Sequence, residues 1–335
     1  MREDKLAPMF RTALLALLLF GLAACGDDAD RAPFAESRTP PGLAGRFFTP
    51  EGWAWGYVQV GGAPPQRYGV SAPRGVPIGQ ALIVVDSGET AEAWFETAAD
   101  LNARGVTVWV LERAGQGGSG RFAAPRDLIH APSFDPDMAA LKAMVQLVIR
   151  PRAPSRLMLL AQGDGAVAAM GAVERGLRVG VLVLSAPRLA PTRAETAVEG
   201  LKRRLGLTTA KASGWRPWSR ETVAARNLSH DRWRGGVQQA WEIANPDLRM
   251  SGDSIGWRQA LREAGAMAAR RAGEIRTPAV ILSADAPSPA LRRICNAMAD
   301  CRLTVIAQAR PALHLESDRY RKPWLKALAD LLEAR

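Results

Sequence analysis

Strand-length apolar runs alternate with helix-length amphipathic segments along most of this chain. Strands buried on both faces have continuously apolar sequences, and helices that connect such strands produce a parallel sheet covered on both faces. We therefore predict an α/β fold with a mostly parallel sheet flanked by helices. The strand-like runs are ALIVVD (81–86), VTVWVLE (106–112), RLMLLA (156–161), VGVLVLSAP (179–187), TPAVILSAD (277–285) and CRLTVIA (301–307), with WAWGYVQV (53–60) before them.

Residues 187–276 interrupt this alternation and show helical patterns only. The stretch Pro187–Thr277 holds 17 Lys and Arg against nine Asp and Glu, so it carries most of the chain's formal net charge of +11. We interpret 187–276 as a helical cap inserted between two strands. Its five tryptophans either pack in a core or line a pocket, and the sequence leaves both open; they are Trp215, Trp218, Trp233, Trp241 and Trp257.

The first 24 residues have the pattern of a secretory signal peptide. Basic residues precede the apolar run TALLALLLFGLAA (12–24), which is too short to span a bilayer comfortably. LAAC (22–25) resembles the lipobox of bacterial lipoproteins, which implies cleavage before Cys25 and acylation of its thiol. Gly26, in place of the aspartate that retains such proteins in the inner membrane, implies an outer-membrane destination in the cell envelope. Residues 25–45 are polar and Pro-rich and are predicted to be a flexible tether.

The chain has two further cysteines, Cys295 and Cys301, which export would bring into an oxidising compartment. Six residues along one helix would hold the two thiols too far apart for a bond. A disulfide therefore requires a turn between them, and the sequence leaves this question open.

An exported lipoprotein does not meet nucleic acid, so we expect no nucleic-acid partner. The basic cap fits an anionic phospholipid surface or a protein partner, and a solvated Arg-rich face is the alternative. The sequence has no CxxC pair, HExxH motif or clustered His and Asp set, so we expect neither a metal nor another cofactor.

LMLLAQGDGAVAAM (157–170) runs as an apolar strand, a Gly-rich turn and a small-residue helix. This is the profile of a nucleophile elbow, in which a hydrolase presents its attacking serine on a sharp turn. The Gly-x-Ser-x-Gly positions are occupied by Ala161 to Gly165, and Gly163 stands at the apex.

Several further motifs occur in an order that resembles the α/β-hydrolase superfamily. They are WVLERAGQGGSGR (109–121), HAPSF (130–134), LSAPRL (184–189), NPDLRMSGDSIGW (245–257) and ESDRYRKPWL (316–325). The chain from about Arg46 onward is most similar to bacterial serine hydrolases of the lysophospholipase and monoglyceride-lipase type, which are serine aminopeptidase-like. The resemblance implies a hydrolase core of residues 46–186 and 277–335 around the cap.

The same resemblance assigns the catalytic positions, and two of them are degenerate. Gly163 stands at the nucleophile, and Pro311, five residues before Glu316, stands at the histidine. Asp285 is a candidate for the acid, and His314 would replace the histidine only in a shifted register. Ser87 and Asp164 fall in the oxyanion region, where a carboxylate on Asp164 would oppose developing negative charge.

The leading hypothesis is a lipid-anchored, catalytically inactive α/β-hydrolase that binds a lipid or a protein partner. The alternative is an active lipid-ester hydrolase of the lysophospholipase type that uses a rearranged site with His314. A second alternative is an envelope scaffold without a ligand.

Overall fold

A computed structural model describes residues 32–153, 156–220 and 228–333. Its centre is one eight-stranded sheet in the order β1-β2-β4-β3-β5-β6-β7-β8. The strands β1 and β2 are antiparallel to their neighbours, and all other pairs are parallel. The prediction of a mostly parallel α/β sheet is confirmed. The strands are β1 Ala54–Val58, β2 Gln66–Ser71, β3 Gly79–Val84, β4 Val106–Leu111, β5 Leu157–Gln162, β6 Val181–Ser185, β7 Ala279–Ser283 and β8 Cys301–Val305.

Helices cover both faces of the sheet. Every residue of β5 and β6 is buried, as their unbroken apolar sequences require. The helix after β4 starts with Asp135 and Asp137 in its first turn, where the macrodipole favours carboxylates. The helices are α1 Phe95–Asn102, α2 Asp135–Ala143, α3 Gly165–Glu174, α4 Ala197–Arg204, α5 Arg232–Gly235, α6 Val237–Ala244, α7 Ile255–Arg271, α8 Pro289–Ala297 and α9 Asp318–Glu333.

Strand β2 is absent from the sequence prediction because its sequence, QRYGVS, is not an apolar run. Arg67 on this strand is fully buried and is neutralised by Glu92 at 2.9 Å and Glu112 at 2.5 Å. A buried arginine is tolerated only with such partners, and these lie far away in sequence.

The segment between β6 and β7 contains helices α4 to α7. Some of its five tryptophans pack in the core and others lie beside a cavity, so both alternatives drawn from the sequence occur. Trp241 and Trp257 are buried and pack in the core, whereas Trp215 and Trp218 are half-buried beside a cavity. Trp233 is 64% exposed.

The described part of the predicted tether is held against the domain. The Phe34 amide donates to the Gly118 carbonyl at 2.8 Å. The Arg38 amide donates to Asn245 Oδ1 at 2.7 Å, and Asn245 Nδ2 donates back to the Arg38 carbonyl at 2.9 Å. Backbone groups with such partners do not belong to a free linker, so the structure differs here from the expected tether. The signal segment and Cys25 lie outside the described residues.

Across residues 32–153, 156–220 and 228–333, no helix combines the length and apolar character that crossing a bilayer demands.

Cys295 and Cys301 form a disulfide. The chain turns between the end of α8 at Ala297 and the start of β8 at Cys301, and this turn brings the two Cα atoms to 5.3 Å.

Candidate functional site

The turn between β5 and α3 has the backbone of an elbow. Gly163 adopts a left-handed conformation with φ of +54°, which strains any residue with a Cβ. Its amide donates to the Ser185 carbonyl at 3.0 Å, and its carbonyl accepts the Arg188 amide at 2.9 Å. A Cβ on Gly165 would lie 2.7 Å from the Val85 carbonyl oxygen, so glycine is needed where α3 crosses β3.

The carboxylate of Asp86 occupies the space beside Gly163. A Cβ on Gly163 would lie 2.1 Å from Asp86 Cγ and 2.3 Å from both carboxylate oxygens. Asp86 Oδ1 accepts the amide hydrogens of Ser87 and Asp164, each at 2.9 Å. These are the two amides that the resemblance assigns to the oxyanion region. The protein's own carboxylate therefore takes the hydrogen bonds that a hydrolase offers to its substrate.

Arginines neutralise the acids of this site. Arg188 Nη2 lies 2.9 Å from Asp86 Oδ1, 2.8 Å from Asp164 Oδ2 and 2.9 Å from Ser87 Oγ. Arg113 is buried and approaches Asp164 from the other side, with its Nη1 2.6 Å from Asp164 Oδ1. Its Nη2 lies 2.8 Å from Asp137 Oδ2. The site is thus a closed network of ion pairs with little unpaired charge.

Their surroundings shift the pKa values of the two acids in opposite directions. Burial raises the pKa of Asp86 to about 6, although Arg188 opposes this. Burial would also raise the pKa of Asp164, but Arg188 and Arg113 outweigh it and lower the pKa. Arg188 pairs with both carboxylates, and Arg113 is a second partner for Asp164, so the charge of Asp164 is compensated more fully than that of Asp86.

Pro311 lies beside the elbow. Its carbonyl accepts a hydrogen bond from Gln162 Nε2 at 2.8 Å. Glu316 fixes the loop, because its buried carboxylate accepts the amides of Arg310, His230 and Ser317 at 2.7–3.0 Å. The structure thus brings Pro311 to the elbow, and the ring of this proline has no group that could exchange a proton.

His314 lies in a different environment. Its ring is fully buried and stacks on Trp94, with the centroids 3.8 Å apart and the planes 4° from parallel. His314 Nε2 lies 3.4 Å from Glu89 Oε1, and within the described residues neither ring nitrogen has a hydrogen-bond partner. Glu89 Oε2 accepts the Asp86 amide at 3.0 Å, so Glu89 stands between His314 and Asp86.

Burial favours the uncharged forms of both His314 and Glu89. It lowers the pKa of His314 well below the ordinary value, and Arg321 adds to the effect. It raises the pKa of Glu89 to about 8, with a further contribution from Asp86. At neutral pH a protonated Glu89 faces an unprotonated imidazole, which avoids two buried charges.

Asp285 lies just after β7 and is exposed. Its Oδ1 accepts the amide of Ala286 at 2.7 Å. In the part of the chain that the structure describes, the histidines that face carboxylates are His230, with Glu316, and His314, with Glu89. Asp285 is not joined to either histidine.

Asp86, Glu89 and Arg188 were not singled out from the sequence. Each lies at or just beyond the carboxyl end of a buried strand, which is where ligand-binding residues collect in parallel sheets. That position is a usable signal. It does not reveal that Asp86 turns toward Gly163, since the two residues are 77 positions apart.

The cap contains a cavity of about 540 Å³, whose lining includes Arg193, Trp215, Trp218 and Glu242. Gln238 joins this cavity to the site, because Gln238 Nε2 donates to the Gly88 carbonyl at 3.3 Å. Burial raises the pKa of Glu242 to about 7.

Among the described residues there is no group of three or more His, Cys, Asp or Glu side chains that could hold a metal ion.

Fold and site together define an α/β-hydrolase-fold protein with the geometry of a serine-hydrolase elbow. The family model described as serine aminopeptidase, S33, matches residues 77–318, and the chain belongs to this family. No curated protein matches the chain.

Solved structures with the same fold include lipases. A soluble variant of monoglyceride lipase from Saccharomyces cerevisiae, bound to a substrate analogue, is 13% identical, with a TM-score of 0.63 over 90% of this chain and 99% of that one. Monoacylglycerol lipase from Paleococcus ferrophilus is 17% identical, with a TM-score of 0.60 over 79% of this chain and 98% of that one. At these identities the likeness establishes the fold alone.

Proposed function

We propose that this protein is a lipid-anchored, non-hydrolytic member of its family, which acts in the cell envelope by binding rather than by cleavage. The observation that carries the proposal is the Asp86 carboxylate beside Gly163. It accepts the Ser87 and Asp164 amides that would otherwise stabilise an oxyanion. With glycine at the nucleophile position and proline at the histidine position, attack and proton transfer both lack their groups.

The cap cavity supports the binding part of the proposal. Its volume of about 540 Å³ lies within the range of small-ligand sites, and Trp215 and Trp218 give it apolar walls. A lipid is the ligand class that we propose, with a protein partner as the alternative. Native mass spectrometry of gently purified protein distinguishes these, because a bound fatty acid or lysolipid adds a defined mass.

An active lipid-ester hydrolase is the second candidate, and family membership and the lipase neighbours favour it. A serine-directed fluorophosphonate probe separates the two candidates. We expect no labelling of the purified protein under conditions that label an active lipase completely. Stoichiometric labelling would overturn the proposal.

The anchor is tested independently of catalysis. Replacing Cys25 removes the thiol that a lipoprotein signal acylates, so Cys25→Ser is expected to abolish metabolic labelling with a radioactive fatty acid. Cys295→Ser serves as the matched control and should keep that label. Equal incorporation into the wild type and Cys25→Ser would contradict lipidation at this position.

A further inference from the structure

Helix α4 presents its apolar side chains to solvent. Val198, Leu201 and Leu205 are 62%, 59% and 67% exposed, and Leu207 just beyond the helix is 51% exposed. The spacing i, i+3, i+7 places the first three within about 60° of one another around the helix. A helix that packs on a core normally buries such a stripe, so this exposure calls for a partner.

The opposite face of α4 is polar and attached to the protein. Glu199 is buried, and its Oε1 accepts the Ser213 amide at 2.7 Å and lies 3.4 Å from Arg258 Nη1. Glu199 also completes a capping box with Thr196. The helix is therefore held with its apolar stripe outward by specific bonds on its inner face.

The end of α4 is equally well defined. Gly206 adopts φ of +77°, its amide donates to the Arg203 carbonyl at 3.0 Å, and the Leu207 amide donates to the Lys202 carbonyl at 2.9 Å. This pair of bonds is a Schellman motif, which returns the next residue toward the last helical turn. Leu207 thereby extends the apolar stripe.

Cationic side chains flank the stripe. On the helical projection Lys202 falls on one side of the three apolar residues and Arg204 on the other. Both are exposed, and neither has an ion-pair partner among the described residues. Apolar residues between lysine and arginine are the pattern of a helix that lies in the interface of an anionic bilayer.

We propose that α4 and the following turn lie on an anionic phospholipid surface, with Val198, Leu201, Leu205 and Leu207 inserted among the lipids and Lys202 and Arg204 on the headgroups. This rests on the proposed lipid anchor, and it names the partner of the basic cap. A second copy of the chain fits less well, because a two-fold contact through this stripe would bring the same cations together.

The route of the chain from the anchor agrees with this orientation. Seven residues, Cys25 to Arg31, separate the proposed lipid from Ala32, and they can span at most about 25 Å. The Ala32 carbonyl accepts a hydrogen bond from Arg126, which lines a groove with Trp218 of the cap. Trp218 and Arg193 line the cap cavity, and α4 begins four residues after Arg193. A short anchor that starts from this side keeps the cap near the bilayer.

Hydrogen exchange on the full lipidated protein tests the proposal. The protein is reconstituted into nanodiscs of phosphatidylcholine alone or of phosphatidylethanolamine with phosphatidylglycerol. We expect the amides of residues 198–207 to exchange at least about fivefold more slowly in the anionic discs. Lys202→Glu with Arg204→Glu should abolish that difference while the protein stays anchored.

Arg292→Glu with Arg293→Glu on α8 is the matched control. It removes the same charge from two other exposed arginines and should leave the slowing intact. Equal exchange in both kinds of disc, or slowing that requires two copies of the protein per disc, would overturn the inference. An anchored protein with unchanged exchange refutes only this inference, whereas failure to lipidate Cys25 refutes the proposed anchoring.

Discussion

The Asp86 carboxylate stands 2.1 Å from the point at which a Cβ on Gly163 would lie. The glycine at the elbow and the aspartate after β3 therefore depend on each other, because no larger residue fits at position 163 while Asp86 keeps its bonds. A serine at position 163 is therefore incompatible with the present position of the Asp86 carboxylate.

We expect Gly163→Ser to lower the free energy of unfolding by about 3 kcal/mol, through this overlap and the left-handed backbone. In an Asp86→Ala background the overlap is gone. The same Gly163→Ser substitution should then lower the free energy of unfolding by at least about 2 kcal/mol less than it does in the wild type. Urea unfolding of the four proteins in the cycle measures this coupling. Gly176→Ser is the control for backbone strain alone, because Gly176 has φ of +88° and a Cβ there meets nothing within 4 Å. A serine cost at position 163 that is independent of residue 86 would refute the relationship.

Catalytic groups can be restored at the elbow. We expect the combination Asp86→Gly, Gly163→Ser and Pro311→His to react with a fluorophosphonate probe at more than about tenfold the background of the parent protein. The reason is that the Asp164 amide becomes free, the Ser87 amide keeps only its longer bond of 3.1 Å to Asp164 Oδ1, and position 311 lies beside Gln162. The same combination with alanine at position 163 is the control and should stay unlabelled.

With Asp285 as the acid position, Asp285→Asn in the restored protein should return labelling to the background of the parent protein, because the new histidine loses the group that orients it. A correctly folded restored protein that does not react would show that residues other than those at positions 86, 163 and 311 also prevent the reaction.

The stability of the protein should depend on the protonation of Glu89. Its pKa is raised from 4.5 to about 8 in the folded chain, so the folded protein keeps a proton that the unfolded chain releases between these values. The resulting stabilisation is complete below pH 4.5 and is lost as the pH rises toward 8. Glu89→Gln resembles the protonated form, so its stability relative to wild type should grow by on the order of 3 kcal/mol between pH 5 and 8. Parallel stability curves for the two proteins, from urea unfolding at each pH, would exclude this role.

The disulfide between Cys295 and Cys301 closes a short loop ahead of strand β8 at the edge of the sheet. Its loss should reduce the free energy of unfolding by about 2 kcal/mol, since the open chain gains conformational freedom when unfolded. Urea unfolding with and without a phosphine reductant measures this. The protein with both cysteines replaced by alanine is the control and should not respond to the reductant; an unchanged wild type would contradict the expectation.

The sequence by itself determined the fold. Continuous apolar runs such as 157–161 and 181–184 can be satisfied only inside a covered parallel sheet, so their type and order followed directly. The assignment of Gly163 and Pro311 to catalytic positions stays a prediction, which rests on the fixed distance of each from residues of a recognisable motif.

Only the tertiary structure decided what fills the site. Asp86, Asp164 and Arg188 come from three separate strand ends, and their ion pairs depend on side-chain directions that no local pattern encodes. Strand β2 was missed for the same reason, because the partners that allow Arg67 to be buried are distant in sequence. Apolar periodicity is a local property of the sequence, so the helices and strands that it specifies can be predicted. The neutralisation of a buried charge depends instead on which distant segments the fold brings together.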